Sequence, residues 1–89
     1  MIERELLVAN KLGLHARATA KLVQLLSGYR SGATLAAKGR EVNAKSIMGV
    51  MLLAAGPGTT VLLRVDGDGE ADAAAAVAEL FERKFDEGS

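Results

Sequence analysis

A chain of 89 residues holds enough material for one hydrophobic core and too little for two, so residues 1–89 read as a single domain. Hydrophobic residues at 49% and charged residues at 25% give the balance of a soluble folding unit rather than a disordered tail, and the absence of cysteine excludes a disulfide framework or a thiolate zinc site. The eleven basic and eleven acidic residues cancel overall but divide unevenly: Met1–Gly49 carries eight basic against three acidic, and Val50–Ser89 the reverse. A basic half without dense Lys/Arg clusters or stacking aromatics suits an acidic protein surface better than a nucleic acid, but on charge alone a solvated surface with incidental bias is the preferred reading.

In chain order, Ile2, Arg4, Leu6 and Val8 alternate with Glu3, Glu5 and Leu7, the period-two pattern of a half-buried strand. The charges in this stretch also exclude a signal-peptide apolar core, and the longest apolar run, Ile47 to Ala55, is too short for a membrane span. From Ala16 the period becomes helical. Ala18, Leu22, Leu25 and Tyr29 form one row, Thr19, Val23 and Leu26 a second, with Arg17, Lys21 and Gln24 opposite, and Gly28 and Gly32 end the segment. Ala33–Ala37 and Glu41–Ala44, split by Lys38-Gly39-Arg40, read as a β-hairpin. Ser46 stands where an N-cap would precede a short apolar helix that Gly56-Pro57-Gly58 stops. Thr59–Asp66 alternates as a last strand. After the Asp66-Gly67-Asp68-Gly69 turn, Ala73, Ala76, Val77, Leu80 and Phe81 mark a closing helix with Glu70 and Asp72 at its positive end. Strands too few for two sheets, each with one apolar face, predict an α+β domain whose helices cover one side of a sheet.

His15 is the only histidine, so neither a multi-histidine nor a Cys/His metal site can be assembled within the chain. No glycine-flanked serine elbow is present to suggest a hydrolase. His15 does stand immediately before a predicted helix, where unpaired backbone N–H groups would welcome an anion and where Arg17 could add a charge-assisted hydrogen bond. A lone histidine in that place is more often a cap or a surface residue, so position alone leaves its role open.

Two segments change that balance. Gly13-Leu14-His15-Ala16-Arg17 resembles the active-site motif of the histidine phosphocarrier family HPr. Lys45-Ser46-Ile47-Met48-Gly49-Val50 resembles the same family's regulatory-serine segment, at its usual distance downstream, and length and element order agree along the whole chain. The resemblance implies an open-faced sandwich, a four-stranded antiparallel sheet with three helices packed on one face. It also implies a carrier rather than an enzyme, one that takes a phosphoryl group from phosphorylated enzyme I on Nδ1 of His15 and hands it to IIA domains of the bacterial sugar phosphotransferase system. On that resemblance His15 and Arg17 carry the chemistry, and Ala16, Arg17 and Ala18 bind the phosphate. Ser46 is the target of an HPr kinase/phosphorylase, and Ala20, Ile47, Met48 and Met51 form the apolar docking surface, whose bland alternative is core. No cofactor, metal, nucleic acid or membrane insertion is implied, and a cytoplasmic monomer is the expectation.

Where most members of the family have proline after the arginine, this chain has Ala18. Proline early in a helix sets chain direction and has no reactive group, so phosphoryl transfer should survive its absence. Carriers of the nitrogen-related branch can also lack that proline, and the sugar branch is favoured by the Ser46 segment. A non-catalytic regulatory module using the same apolar surface is the rival from another class, and the presence of His15 beside Arg17 weighs against it. Two further matches are decoys. Gly39 to Ser46 misses the second glycine of a nucleotide-binding loop, and Asp66, Asp68 and Glu70 are followed by Ala71 where a calcium loop needs glycine. Of three aromatic residues, Phe81 and Phe85 are placed on the last helix rather than on a nucleic-acid-binding strand platform.

Overall fold

The computed structural model describes residues 1–87. The elements run β1 (Ile2–Leu7), α1 (Ala16–Ser27), β2 (Gly32–Ala37), β3 (Arg40–Asn43), α2 (Ile47–Leu52), β4 (Thr60–Asp66) and α3 (Glu70–Glu82), followed by one short turn at Lys84–Asp86. The four strands form one sheet in the order β1-β4-β2-β3, and every neighbouring pair is antiparallel. Leu6, Leu35, Leu63 and their neighbours Ala33, Val61 and Val65 are buried with residues of all three helices in one hydrophobic cluster. The opposite face of the sheet carries Glu3, Glu41 and Arg64, the arginine bridging both carboxylates at 2.7 and 3.0 Å. The alternation read from the strands therefore resolves into an open-faced α+β sandwich with helices on one side, as expected.

Local chemistry explains the boundaries. The β2–β3 loop is the two residues Lys38 and Gly39, both at positive φ (54° and 77°), with Ala37 paired to Arg40. That is the turn whose twist matches a right-handed strand pair. Ser46 caps α2, its Oγ accepting the N–H of Gly49 at 3.1 Å. Lys45 is drawn away from the would-be nucleotide loop, its Nζ donating to the carbonyl of Tyr29 at 2.7 Å.

Helix α1 buries Ala18, Thr19, Leu22 and Leu26 from the two rows read from its period, while Val23 and Leu25 are only partly buried and Tyr29 lies just past the helix end. Helix α3 buries Ala73, Ala74, Val77, Ala78, Leu80 and Phe81, and contacts β1 and β4.

The end of α3 differs from the expectation. Phe85, placed by its spacing from Phe81 on the last helix, lies beyond it in a turn where Lys84, Phe85 and Asp86 all have positive φ (53°, 56° and 61°). Left-handed backbone costs about 1–2 kcal/mol per residue with a side chain. The turn persists because Phe85 is fully buried, with its ring centroid 4.9 Å from that of Phe81, and because Lys21 Nζ donates to the Phe85 carbonyl at 2.7 Å.

Candidate functional site

The loop from β1 to α1 is built to hold His15 still. Gly13 has φ +68°, and a Cβ there would lie 2.5 Å from the carbonyl oxygen of Ala55 and 2.8 Å from Cα of Gly56. Only glycine allows that approach, which lets the Leu14 N–H donate to the Ala55 carbonyl at 2.9 Å. Leu14 is buried, and the Thr19 hydroxyl donates back to its carbonyl at 3.2 Å. His15 thus follows a fixed residue and occupies the N-cap of the twelve-residue α1 with extended backbone.

The two ring nitrogens of His15 face different partners. Nδ1 accepts the backbone N–H of Arg17 at 3.3 Å, and so points to the positive end of α1. Nε2 meets Oε2 of Glu87 at 2.5 Å. A carboxylate only accepts, so Nε2 is the protonated nitrogen in this pair, and Nδ1 keeps its lone pair. The other oxygen of Glu87 accepts from Asn10 Nδ2 at 3.0 Å, and the same amide donates to the Gly13 carbonyl at 2.7 Å. Asn10 is fully buried. Burial opposes charge on Glu87, but the hydrogen bonds from Asn10 and His15, with the positive charge of Lys21, outweigh it and hold the carboxyl below its ordinary value. Around the ring an open depression is lined by Lys11, Leu12, Ala16, Arg17, Lys21 and Asp86.

An imidazole whose unprotonated Nδ1 accepts only a long hydrogen bond, set at a helix N-terminus among cations, can act as a nucleophile toward an anionic electrophile. Among the described residues there is no cluster of three or more His, Asp or Glu able to hold a metal. No helix there is long and apolar enough to cross a membrane.

Residues 2–83 match the family model described as the PTS HPr component phosphorylation site. The chain belongs to the HPr family of phosphocarriers. It is 64% identical over 87 residues to the phosphocarrier protein HPr of Xylella fastidiosa strain 9a5c, covering 98% of each chain. It is 51% identical over 88 residues to HPr of Cupriavidus necator, covering 99% of each. Among solved structures, an HPr from Thermoanaerobacter tengcongensis superposes with a TM-score of 0.94 at 42% identity over 98% of both chains.

Within this HPr fold, the residues singled out in the sequence fall at the start of α1, farther along α1 and on α2. Ala16 and Arg17 are exposed in the first turn of α1, whereas the side chain of Ala18 is buried and leaves only its backbone N–H at the helix end. Ala20 is exposed on α1. Ile47, Met48 and Met51 lie on the surface of α2, not in the core, with Met48 78% exposed, and Leu12 and Leu52 are exposed as well. Helices α1 and α2, which carry Ala20 and the α2 residues respectively, pack against each other.

Sequence reasoning missed Asn10 and Glu87. A buried Asn in the loop before the motif gives no periodic signal, and Glu87 reaches His15 across 72 positions only through the left-handed turn after α3.

Proposed function

We propose that His15 accepts a phosphoryl group on Nδ1 from phosphorylated enzyme I and passes it to IIA domains of the sugar phosphotransferase system, in the cytoplasm. The observation that carries this reading is the division of labour on one ring: Nε2 is occupied by Glu87, and Nδ1 is directed at the start of α1. The phosphoryl group added there would take the Arg17 N–H now given to Nδ1, together with the N–H groups of Ala16 and Ala18. An anion at a helix N-terminus gains about 0.3–1 kcal/mol at exposed sites, and each charge-assisted hydrogen bond adds about 1.5–3 kcal/mol. The Arg17 guanidinium is close enough in sequence to close over the phosphate.

Docking uses the exposed Ala20, Ile47, Met48 and Met51 together with the cations Lys11, Arg17 and Lys21 around His15, an apolar and basic set suited to acidic partners. Ser46 caps α2 at the edge of that surface. Phosphorylation of its hydroxyl by an HPr kinase/phosphorylase would place nearly two negative charges where an acidic partner docks, while the helix N-terminus tolerates them.

Incubation with enzyme I and phosphoenolpyruvate tests the carrier reading. Wild type should incorporate acid-labile, alkali-stable phosphate and His15→Ala none. An unlabelled wild type would leave a regulatory, non-carrier module as the better account.

A further inference from the structure

The contact between Nε2 and Glu87 suggests more than a way of orienting the ring, because the proton it holds bears on how easily a phosphoryl group leaves. Glu87 is itself fixed at both ends. Its side chain is 14% exposed, one oxygen is bound to His15 and the other to the fully buried Asn10, whose amide is anchored in turn on the Gly13 carbonyl. The backbone that brings Glu87 there is locked by Phe85 in the core and by Lys21 on the Phe85 carbonyl. The arrangement therefore exists before any partner binds.

We infer that Glu87, braced by Asn10, is a positioning residue that keeps a proton on Nε2 of His15 throughout the transfer cycle, and so sets the readiness of the phosphohistidine to give up its phosphoryl group. This deepens the carrier reading and rests on it for its biological meaning. In the forward step the Nδ1 lone pair forms the new N–P bond while the donor's N–P bond breaks and its electron pair returns to the donor. No proton moves on the His15 ring, which becomes an N-phosphoimidazolium whose positive charge is offset by the Glu87 carboxylate.

In the return step the N–P bond breaks with its pair on Nδ1, and neutral imidazole, still protonated at Nε2, departs. Without the carboxylate, Nε2 of the phosphorylated ring more readily loses its proton, and the leaving group would be imidazolate, a far poorer one.

The charged groups facing the ring come from three segments. Lys11 lies on the loop before α1, Arg17 and Lys21 on α1, and Asp86 and Glu87 on the turn after α3. Lys21 is engaged by the Phe85 carbonyl and lies 3.9 Å from Asp86, and Arg83 holds Asp86 at 2.9 Å. Glu87 is thus the carboxylate that reaches Nε2 directly.

The test compares wild type, Glu87→Gln and Asn10→Ala by two readouts that need no enzyme I. First, ring-nitrogen NMR of the free proteins, at a pH where the ring is neutral, should show the Nε2–H form in wild type and a mixture of both tautomers in Glu87→Gln. Second, the proteins are loaded with phosphoramidate, a small chemical donor, and the loss of phosphate is followed against pH. Wild type should take the phosphoryl group on Nδ1. Glu87→Gln, near-isosteric but neutral, should release it about tenfold more slowly near neutral pH, the difference between a charge-assisted and a neutral hydrogen bond, and the two rates should converge in acid where both rings are protonated. Asn10→Ala should fall between them.

Identical pH profiles for wild type and Glu87→Gln would overturn the inference, as would loading at Nε2 or an Nδ1–H tautomer in wild type. A merely structural role would change stability without displacing the pH profile. Failure of enzyme I to label wild type is a separate result that sinks the carrier reading, since chemical loading bypasses that partner.

Discussion

Gly13→Ala separates two costs that usually arrive together. The residue sits at φ +68°, so any side chain incurs the left-handed penalty of about 1–2 kcal/mol. Its new methyl would also lie 2.5 Å from the Ala55 oxygen and 2.8 Å from Gly56 Cα, both main-chain atoms that cannot swing aside as a side chain can. Forcing an extra carbon into such a contact costs about 1–3 kcal/mol more, for a total of about 2–5 kcal/mol. Gly39 supplies the control: its φ is +77°, but nothing lies within 4 Å of a Cβ built there, so Gly39→Ala should lose only the backbone share, about 1–2 kcal/mol. Urea unfolding of both variants, with unchanged slopes, measures the difference. The larger loss should accompany a slower phosphoryl transfer, because relief of the clash displaces Leu14 from Ala55 and moves His15 with it. Equal losses in the two variants would show that the close approach of the His15 loop to Ala55 does not constrain the site.

Phe85→Ala removes a fully buried ring and should cost about 3–5 kcal/mol in denaturant, while releasing Glu87 and giving the mixed His15 tautomers expected of Glu87→Gln. Ser46→Ala should cost about 1 kcal/mol through the lost cap, whereas Ser46→Asp keeps a capping oxygen and should unfold near the wild-type midpoint. In the transfer assay the order reverses: Ser46→Asp should accept phosphate from enzyme I more slowly than Ser46→Ala, and equal rates would exclude the charge argument. Glu87 is held below its ordinary value of 4.5, so it binds fewer protons folded than unfolded, and its contribution is present above that value. Stability should therefore drop in wild type as pH falls below 4.5 through the lowered folded value, and the gap between wild type and Glu87→Gln in urea midpoints should narrow over that window.

The parts of the molecule that were legible in the sequence are those governed by neighbours in the chain. Alternation marked β1 and β4, the 3.6-residue rows marked the buried face of α1, and the glycine of Lys38-Gly39-Arg40 marked a tight turn, which the structure closes in only Lys38 and Gly39, with Arg40 already paired in β3. Ser46 and His15 were legible as helix starts for the same reason: a cap acts within three residues. The end of α3 was not legible in this way. Phe85 stands four residues after Phe81, a spacing that fits one more helical turn as well as it fits the observed left-handed one, and Lys84, Phe85 and Asp86 include no glycine to announce positive φ. What decides between the two is tertiary. Phe85 enters the core beside Phe81, and Lys21, from another helix, donates to the Phe85 carbonyl. Because Glu87 follows directly, the same packing choice that defeats the local rule also delivers a carboxylate to Nε2 of His15. The proposed carrier histidine was therefore nameable from a motif of five residues, whereas the carboxylate beside its Nε2 could be found only once residues 72 positions apart had been brought together.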